Sequence, residues 1–243
     1  MSTSPPLPAL GLVCITASDQ VRFRTLTRKR LLQLGSDEQL RVLGELYQEN
    51  LRRLDRAIDY CLEHGIRLYR LSSALFPFAD ERLGGQVLAT FAEPLGQAGE
   101  RASRAGLRLV VHPDQYVVLN SDDPAVIENA VKVLIHHARV LDLMGQPRSP
   151  WALIEIHGGK ANRSERLIEQ IALLPDSVRL RLGLENDEYA YRACEIYEIC
   201  CQSGVPMVFD AHHHVIAEQL TSYDDPSVGQ MLACARSTWP VPQ

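Results

Sequence analysis

A parallel α/β fold is what this sequence predicts, on three observations. Short apolar runs bounded by turn signals recur along the chain, as buried parallel strands do. Amphipathic segments with helix start and stop signals alternate with them. The runs also end in the same kind of residue. Leu109-Val110-Val111 leads into His112, Leu153 to Ile156 into His157, Leu182-Gly183-Leu184 into Glu185, and Met207-Val208-Phe209 into Asp210. Strand ends on one rim are where parallel α/β enzymes carry their chemistry.

The elements follow in order. Strand one is Leu10 to Ile15, and a loop runs through Thr27. A helix from about Asp37 to His64 is marked by Leu43, Leu46, Tyr47, Leu51, Leu54, Ile58 and Cys61 at helical spacing, with Gly65 as its stop. Strand two is Arg67 to Ser72, and a helix from Gly84 to Arg104 ends at Gly106. Strand three is Leu107 to His112. Asp123-Pro124 opens the next helix as N-cap and first residue, and Gly145 closes it. Strand four is Trp151 to His157, and a helix from Ser164 is stopped by Pro175. Strand five is Arg179 to Glu185, followed by a helix from Tyr189 to Ser203. Strand six is Met207 to Asp210, and Asp225-Pro226 opens the last helix, to about Ser237. No glycine-rich nucleotide fingerprint follows strand one, so a TIM-type (β/α)8 barrel is the natural architecture. About six βα units are present, and the chain stops at Trp239 to Gln243, where a seventh strand would begin. The expectation is a single incomplete barrel domain over 1–243, with 1–8 as a flexible tail and the C-terminal units missing.

Composition narrows the class. The 243 residues are 46% hydrophobic and 23% charged, an ordinary globular balance. No apolar stretch approaches the roughly 20 residues that span a bilayer, and the first residues lack a signal peptide's pattern. Cys14, Cys61, Cys194, Cys200, Cys201 and Cys234 form no C-x-x-C pair and read as reduced thiols of a cytoplasmic protein. The formal charge of −5 argues mildly against nucleic acid, but local patches decide. Arg22, Arg24, Arg28, Lys29 and Arg30 form one basic patch, which suits phosphate contacts better than a balanced surface. Lys160, Arg163 and Arg166 form a smaller one behind His157.

Imidazoles and carboxylates on one rim point to a polynuclear metal site, with manganese, magnesium or zinc as the suited ions. Glu185 has two oxygens and can bridge two metals. Asp210-Ala211-His212-His213 contains D-x-x-H, which lets an Asp and a His reach one ion. His212 and His214 read as flanking residues, and His64, His136 and His137 as helical scaffold away from the rim. Such a site can stabilise both oxygens of a phosphodiester displacement. Gln115-Tyr116, beyond His112, pairs a hydrogen-bonding amide with an aromatic plane that can stack on a base.

Several longer stretches carry a specific resemblance. They are Tyr69 to Pro77, His112-Pro113-Asp114-Gln115-Tyr116 through Ser121, Ile156-His157-Gly158-Gly159, Leu184-Glu185-Asn186-Asp187 and Val208 to His214. In these the chain resembles the UV damage endonucleases, related in fold to endonuclease-IV-type apurinic nucleases. The resemblance implies a TIM-barrel nuclease with a divalent-metal cluster, usually Mn2+, that nicks double-stranded DNA on the 5′ side of a UV photoproduct. It implies His112, His157, Glu185, Asp210 and His213 as metal ligands, with Glu185 and His157 as catalytic residues. It implies Gln115 and Tyr116 as the lesion probe, with Arg28, Lys29 and Arg30 added from the basic patch. Two departures stand out. The family's histidine after the Ser-Ser-x-x-Phe-Pro segment is replaced by Asp80-Glu81, candidate substitute ligands. Its later His and Glu on strands seven and eight lie beyond this chain. Two other readings compete: a metal-dependent sugar isomerase-type barrel, and a non-catalytic remnant that binds damaged DNA. A monomer that binds no membrane is expected.

Overall fold

The computed structural model describes residues 10–113 and 117–240. The expected tail and the Gln115-Tyr116 pair lie outside the described residues. The chain divides into two compact units, Met1–Val110 with Leu143–Gln146, and Val111–Asp142 with Pro147–Gln243.

The first unit holds β1 (Gly11–Val13), α1 (Arg28–Leu32), α2 (Ser36–Glu63), β2 (Leu68–Leu71), α3 (Arg82–Ala89), α4 (Ala92–Arg104) and the start of β3 (Arg108–Val111). β1 and β2 pair in parallel with Leu12 opposite Tyr69, and Arg108 N–H donates to Arg67 O. The apolar stripe of α2 is buried as its spacing predicts, from Leu43 through Tyr47, Leu54 and Ile58 to Cys61. Gly65 follows with φ of 67°, the left-handed conformation that ends a helix. The helix expected from Gly84 to Arg104 is two helices instead, broken at Thr90–Phe91. Pro94 is the reason. Its ring would meet the carbonyl of Thr90 and it has no N–H to give. Close packing also constrains α4, because a Cβ on Gly99 would lie 1.9 Å from Met144 O. α1 is a further departure, a short helix inside the expected loop, started by Thr27 Oγ1 accepting Arg30 N–H.

The second unit holds α5 (Pro124–Leu143), a single 3₁₀ turn at Pro150–Ala152, β4 (Ile154–His157), α6 (Ser164–Leu173), α7 (Asp176–Arg179), β5 (Leu182–Glu185), α8 (Ala193–Ser203), β6 (Met207–Val208), α9 (Ala211–Ala217) and α10 (Pro226–Ser237). Val111 pairs with Ile154, and β4, β5 and β6 run parallel in sequence order. The register sets His157 opposite Glu185 and Glu185 opposite Val208. The outward groups of Met207 are satisfied by side chains: its N–H donates to Thr238 Oγ1 and its carbonyl accepts Trp239 Nε1–H, both at 2.8 Å.

Several elements of this unit begin later than their sequence pattern predicts, each for a local cause. β4 begins at Ile154 because Pro150 opens the 3₁₀ turn, leaving Trp151 half exposed. The helix expected from Tyr189 begins at Ala193. Asp187 Oδ1 accepts the Tyr189 and Ala190 amides and holds those residues in a turn. α7 ends on Arg179, and the turn that closes it takes Leu180 and Arg181, so β5 begins at Leu182 and not at Arg179. α9 lies between strand six and the helix opened by Asp225-Pro226, where no helix is predicted, because Asp210 caps it.

Arg181 anchors this unit. It is fully buried, and its guanidinium donates to the carbonyls of Pro147, Ala138 and Ser177 and to Asp142 Oδ1 at 2.8 Å. Arg181→Met should destabilise the protein by about 1 to 3 kcal/mol, since a fully buried guanidinium that joins three carbonyls and one carboxylate is lost. Guanidinium denaturation of parent and variant checks this; a midpoint unchanged in the variant would show the network to be dispensable.

Candidate functional site

Five side chains converge at the strand ends of the second unit. His112 stands one residue beyond β3, while His157 and Glu185 are the last residues of β4 and β5. Asp210 follows β6 and His213 lies in the first turn of α9. They form two groups, His112 with His157 and Glu185, and Glu185 with Asp210 and His213. Within each group the ligand-capable atoms lie within 4.8 Å of one another, and Glu185 belongs to both.

The D-x-x-H spacing has a structural cause. Asp210 is the N-cap of α9, and its Oδ1 accepts the His213 backbone N–H at 2.8 Å. An N-cap side chain reaches the amide three residues on. Its other oxygen, Oδ2, is thereby left 3.7 Å from His213 Nε2. One carboxylate starts the helix and faces the histidine that the helix presents. The neighbouring histidines turn elsewhere: His212 stacks on Tyr223 and bonds its hydroxyl at 2.6 Å, and buried His214 bonds Ser227 at 3.1 Å.

The hydrogen bonds also fit a metal. His112 donates from Nδ1 to Pro113 O at 2.7 Å and turns Nε2 to Glu185 Oε2 at 3.2 Å. His213 turns Nδ1 to Glu188 Oε1 at 3.1 Å and Nε2 towards Asp210. In both rings the outer nitrogen is held by an acceptor and the inner one faces a carboxylate, the arrangement that orients metal-binding histidines. His157 Nε2 lies 3.7 Å from Glu185 Oε2. Its buried Nδ1 has no hydrogen-bond partner among the described residues, so its ring is held by packing.

Electrostatics separates the two histidines of the first group. Burial works against a charged His112, but the Glu185 hydrogen bond and the Glu155 charge outweigh it and raise its pKa. Burial lowers the pKa of His157, with Glu185 opposing and His112 adding to the fall. His136 and His137 are buried in α5 and belong to neither group. His137 is nonetheless within electrostatic reach of the rim: burial, then His136 and His112, push its pKa down to about 3.

The other predicted residues fall as follows. Asp80 and Glu81 belong to neither group among the described residues. Arg28 forms an ion pair with Glu81, and Arg22 is engaged by Asp19 at 2.8 Å. Arg28, Lys29 and Arg30 are all exposed on α1. The basic patch is thus partly neutralised, which its spacing alone does not reveal. Beside the convergence lies a cleft of about 410 Å³, lined by His112, Val117, His157, Glu188, Tyr189 and His213 among others.

Two positioning residues escape the sequence reading. Asn186 is fully buried, accepting Asp210 N–H and donating to Asp210 O, both at 2.9 Å. It fixes the backbone of a ligand-type residue without itself facing the cleft. Glu188 holds His213 as described. A fully polar residue just after a buried strand-end carboxylate is the only signal that could have marked Asn186.

A family model described as UV-endonuclease UvdE matches residues 8–242. The chain belongs to the UvdE family of UV endonucleases. It is 50% identical over 238 residues to a Nostoc protein named UV DNA damage endonuclease, covering 97% of this chain and 74% of that one. A Deinococcus radiodurans protein of the same name is 48% identical over 245 residues, covering 100% of this chain and 80% of its relative. Among solved structures, that of SacUVDE superposes with a TM-score of 0.82 at 27% identity, covering 96% of this chain and 77% of that one. Two more distant structures share the fold alone. Endonuclease IV from Thermus thermophilus matches with a TM-score of 0.52 at 19% identity, covering 76% of this chain and 66% of that one. D-psicose 3-epimerase from Clostridium cellulolyticum matches at 0.53 and 16%, covering 76% and 65%. The protein is an endonuclease of the UvdE family. No helix among its described residues is long and apolar enough to cross a membrane.

Asn186→Ala should weaken divalent-metal binding at the site at least tenfold while leaving the secondary structure intact, because both bonds that place Asp210 are lost. Titration calorimetry with manganese measures this. Parent-like affinity in the variant would mean that α9 alone positions Asp210.

Proposed function

We propose that this protein is a divalent-metal-dependent UV DNA damage endonuclease with a TIM-type (β/α)8 architecture. It cuts the phosphodiester backbone of double-stranded DNA on the 5′ side of UV photoproducts, and does so as a monomer. One observation carries the reading above all: Glu185 is shared by two metal-competent groups beside an open cleft, in a chain half identical to a protein of that named activity.

His112, His157, Glu185, Asp210 and His213 would hold the metal, Mn2+ first and Mg2+ or Zn2+ as alternatives. Two carboxylates among three imidazoles suit such borderline-hard ions. Bound there, the metal supplies Lewis acidity to a phosphoryl group. The chain's own groups do the rest. Glu185 and Asp210 set a negative field that offsets cationic charge. His157, its pKa lowered by burial, keeps a free lone pair near neutral pH. The bond from His112 Nδ1 to Pro113 O keeps Nε2 turned inward, and that nitrogen would face the metal. Gln115 and Tyr116, on the segment after His112, are assigned to lesion recognition. Arg28, Lys29 and Arg30 are assigned to backbone phosphates.

The epimerase-like fold keeps a sugar isomerase reading in view, but only the fold supports it. Nicking of UV-irradiated plasmid with added manganese separates the endonuclease from both that reading and a non-catalytic remnant that only binds damaged DNA.

Glu185→Gln keeps the shape and removes the charge common to both groups. It should lose bound manganese and reduce nicking at least a hundredfold with an unchanged circular dichroism spectrum. Metal content and activity equal to the parent's would remove Glu185 from the site.

The Gln115→Ala/Tyr116→Ala double variant should lose preference for damaged over undamaged duplex while keeping most of its general affinity. Stacking on one base is worth about 1–3 kcal/mol, so the binding ratio at fixed salt should fall about fivefold or more. A ratio equal to the parent's would leave the pair structural.

A further inference from the structure

We infer that Lys160, Arg163 and Arg166 form a phosphate clamp beside the cleft, which grips the sugar-phosphate backbone of the DNA substrate. The inference rests on the endonuclease reading and adds a binding surface to it.

The three cations come from the β4–α6 loop and the first turn of α6, and all converge on the carboxylate of Asp122. Arg163 Nη1 pairs with Oδ1, Arg166 Nη1 lies 3.5 Å from the same oxygen, and Lys160 Nζ lies 3.9 Å from Oδ2. One carboxylate cannot neutralise three cations, so a positive surplus faces solvent. The neighbouring Asp123 is occupied in capping α5, where its Oδ1 accepts Ala125 N–H. Exposed ion pairs of this kind contribute little to stability, so a purely structural role explains the cluster poorly.

The support beneath the cations is far more elaborate than a surface ion network needs. Asn120 is fully buried and holds the loop from inside. Its amide donates to Gly158 O and Lys160 O, and its carbonyl accepts Lys160 N–H at 2.8 Å. It also donates to the hydroxyl of buried Tyr191, which in turn accepts Arg163 N–H at 2.9 Å. Gly158 and Gly159 let the loop pass this closely: a Cβ would lie 2.4 Å from the Tyr191 ring and 2.4 Å from Asn120 Oδ1 respectively. The loop begins at His157, and Gly159 lines the cleft. The backbone carrying the cations is thus fixed to the same strand end that carries a ligand-type histidine. Arginine forks and a lysine at a set offset from the reacting site match the chemistry of a phosphodiester strand. The clamp carries no base recognition, so it positions the duplex and leaves lesion preference to other residues.

The test is duplex binding by fluorescence anisotropy across a salt series, with the full chain. Each neutralised phosphate contributes about 0.9 to the slope of log affinity against log salt. Arg163→Gln/Arg166→Gln should flatten the parent's slope by about 1 to 2 and raise KM for nicking, with kcat and the damaged-to-undamaged binding ratio unchanged. Arg179→Gln/Arg236→Gln removes the same charge elsewhere in the unit and should leave the slope as it was. A slope unchanged by Arg163→Gln/Arg166→Gln, or flattened equally by the control pair, overturns the clamp. The two readings fail separately: a parent that binds duplex with this salt dependence but does not nick irradiated plasmid removes the endonuclease activity and leaves the clamp standing.

Discussion

Buried side-chain amides hold the loops of this protein, and the functional geometry depends on them. Asn50, Asn120 and Asn186 are each fully buried, and each makes paired bonds to a loop backbone. Asn50 accepts Arg24 N–H and donates to Arg24 O and Leu75 O in the first unit. Asn120 holds the 158–160 segment and Asn186 holds Asp210 in the second. An amide offers a donor and an acceptor on one short stem, so it can replace two strand-like hydrogen bonds where the backbone has left the sheet. Buried loop backbone needs such partners, because unpaired polar groups are costly away from water. The loops that these three residues satisfy can be irregular without leaving those buried polar groups unpaired.

The same economy appears in the ligand-type residues. Asp210 begins α9 with one oxygen and faces His213 with the other. Glu185 lies between two histidine-bearing groups and belongs to both. Each carboxylate therefore couples a structural element to the site, and a change at either is felt in both. Glu185 also explains why His112 and His157 diverge. The hydrogen bond it accepts from His112 favours the charged ring, whereas the longer 3.7 Å approach to His157 does not overcome burial. Two imidazoles 5.1 Å apart cannot both be cationic cheaply, so the charge settles on the ring with the better acceptor.

Much of this was legible in the residues, because strand ends, helix caps and helix stops are written locally. The six strands appear in the expected order, and Asp123-Pro124 and Asp225-Pro226 open α5 and α10 as their pattern implies. The strand-end positions of His112, His157 and Glu185 follow from apolar runs that a period-based reading detects. The structure departs from the local pattern where one side chain sets an element's boundary: Pro94 breaks a helix, Asp187 delays one, and Asp210 starts one.

What the sequence by itself determined is the alternation of strands and helices and the residue types delivered to each strand end. The D-x-x-H spacing already singled out His213 among three successive histidines, and the tertiary structure supplied the reason: the helix capped by Asp210 and the partners Tyr223 and Ser227 of the other two. The tertiary structure alone decided that Asn120 and Asn186 are buried clamps, that Glu188 holds His213, and that three cations share Asp122. The physical reason is range. Periodicity and capping act within a few residues along the chain, whereas these contacts join groups 11 to 44 positions apart, through a packing that no local pattern encodes.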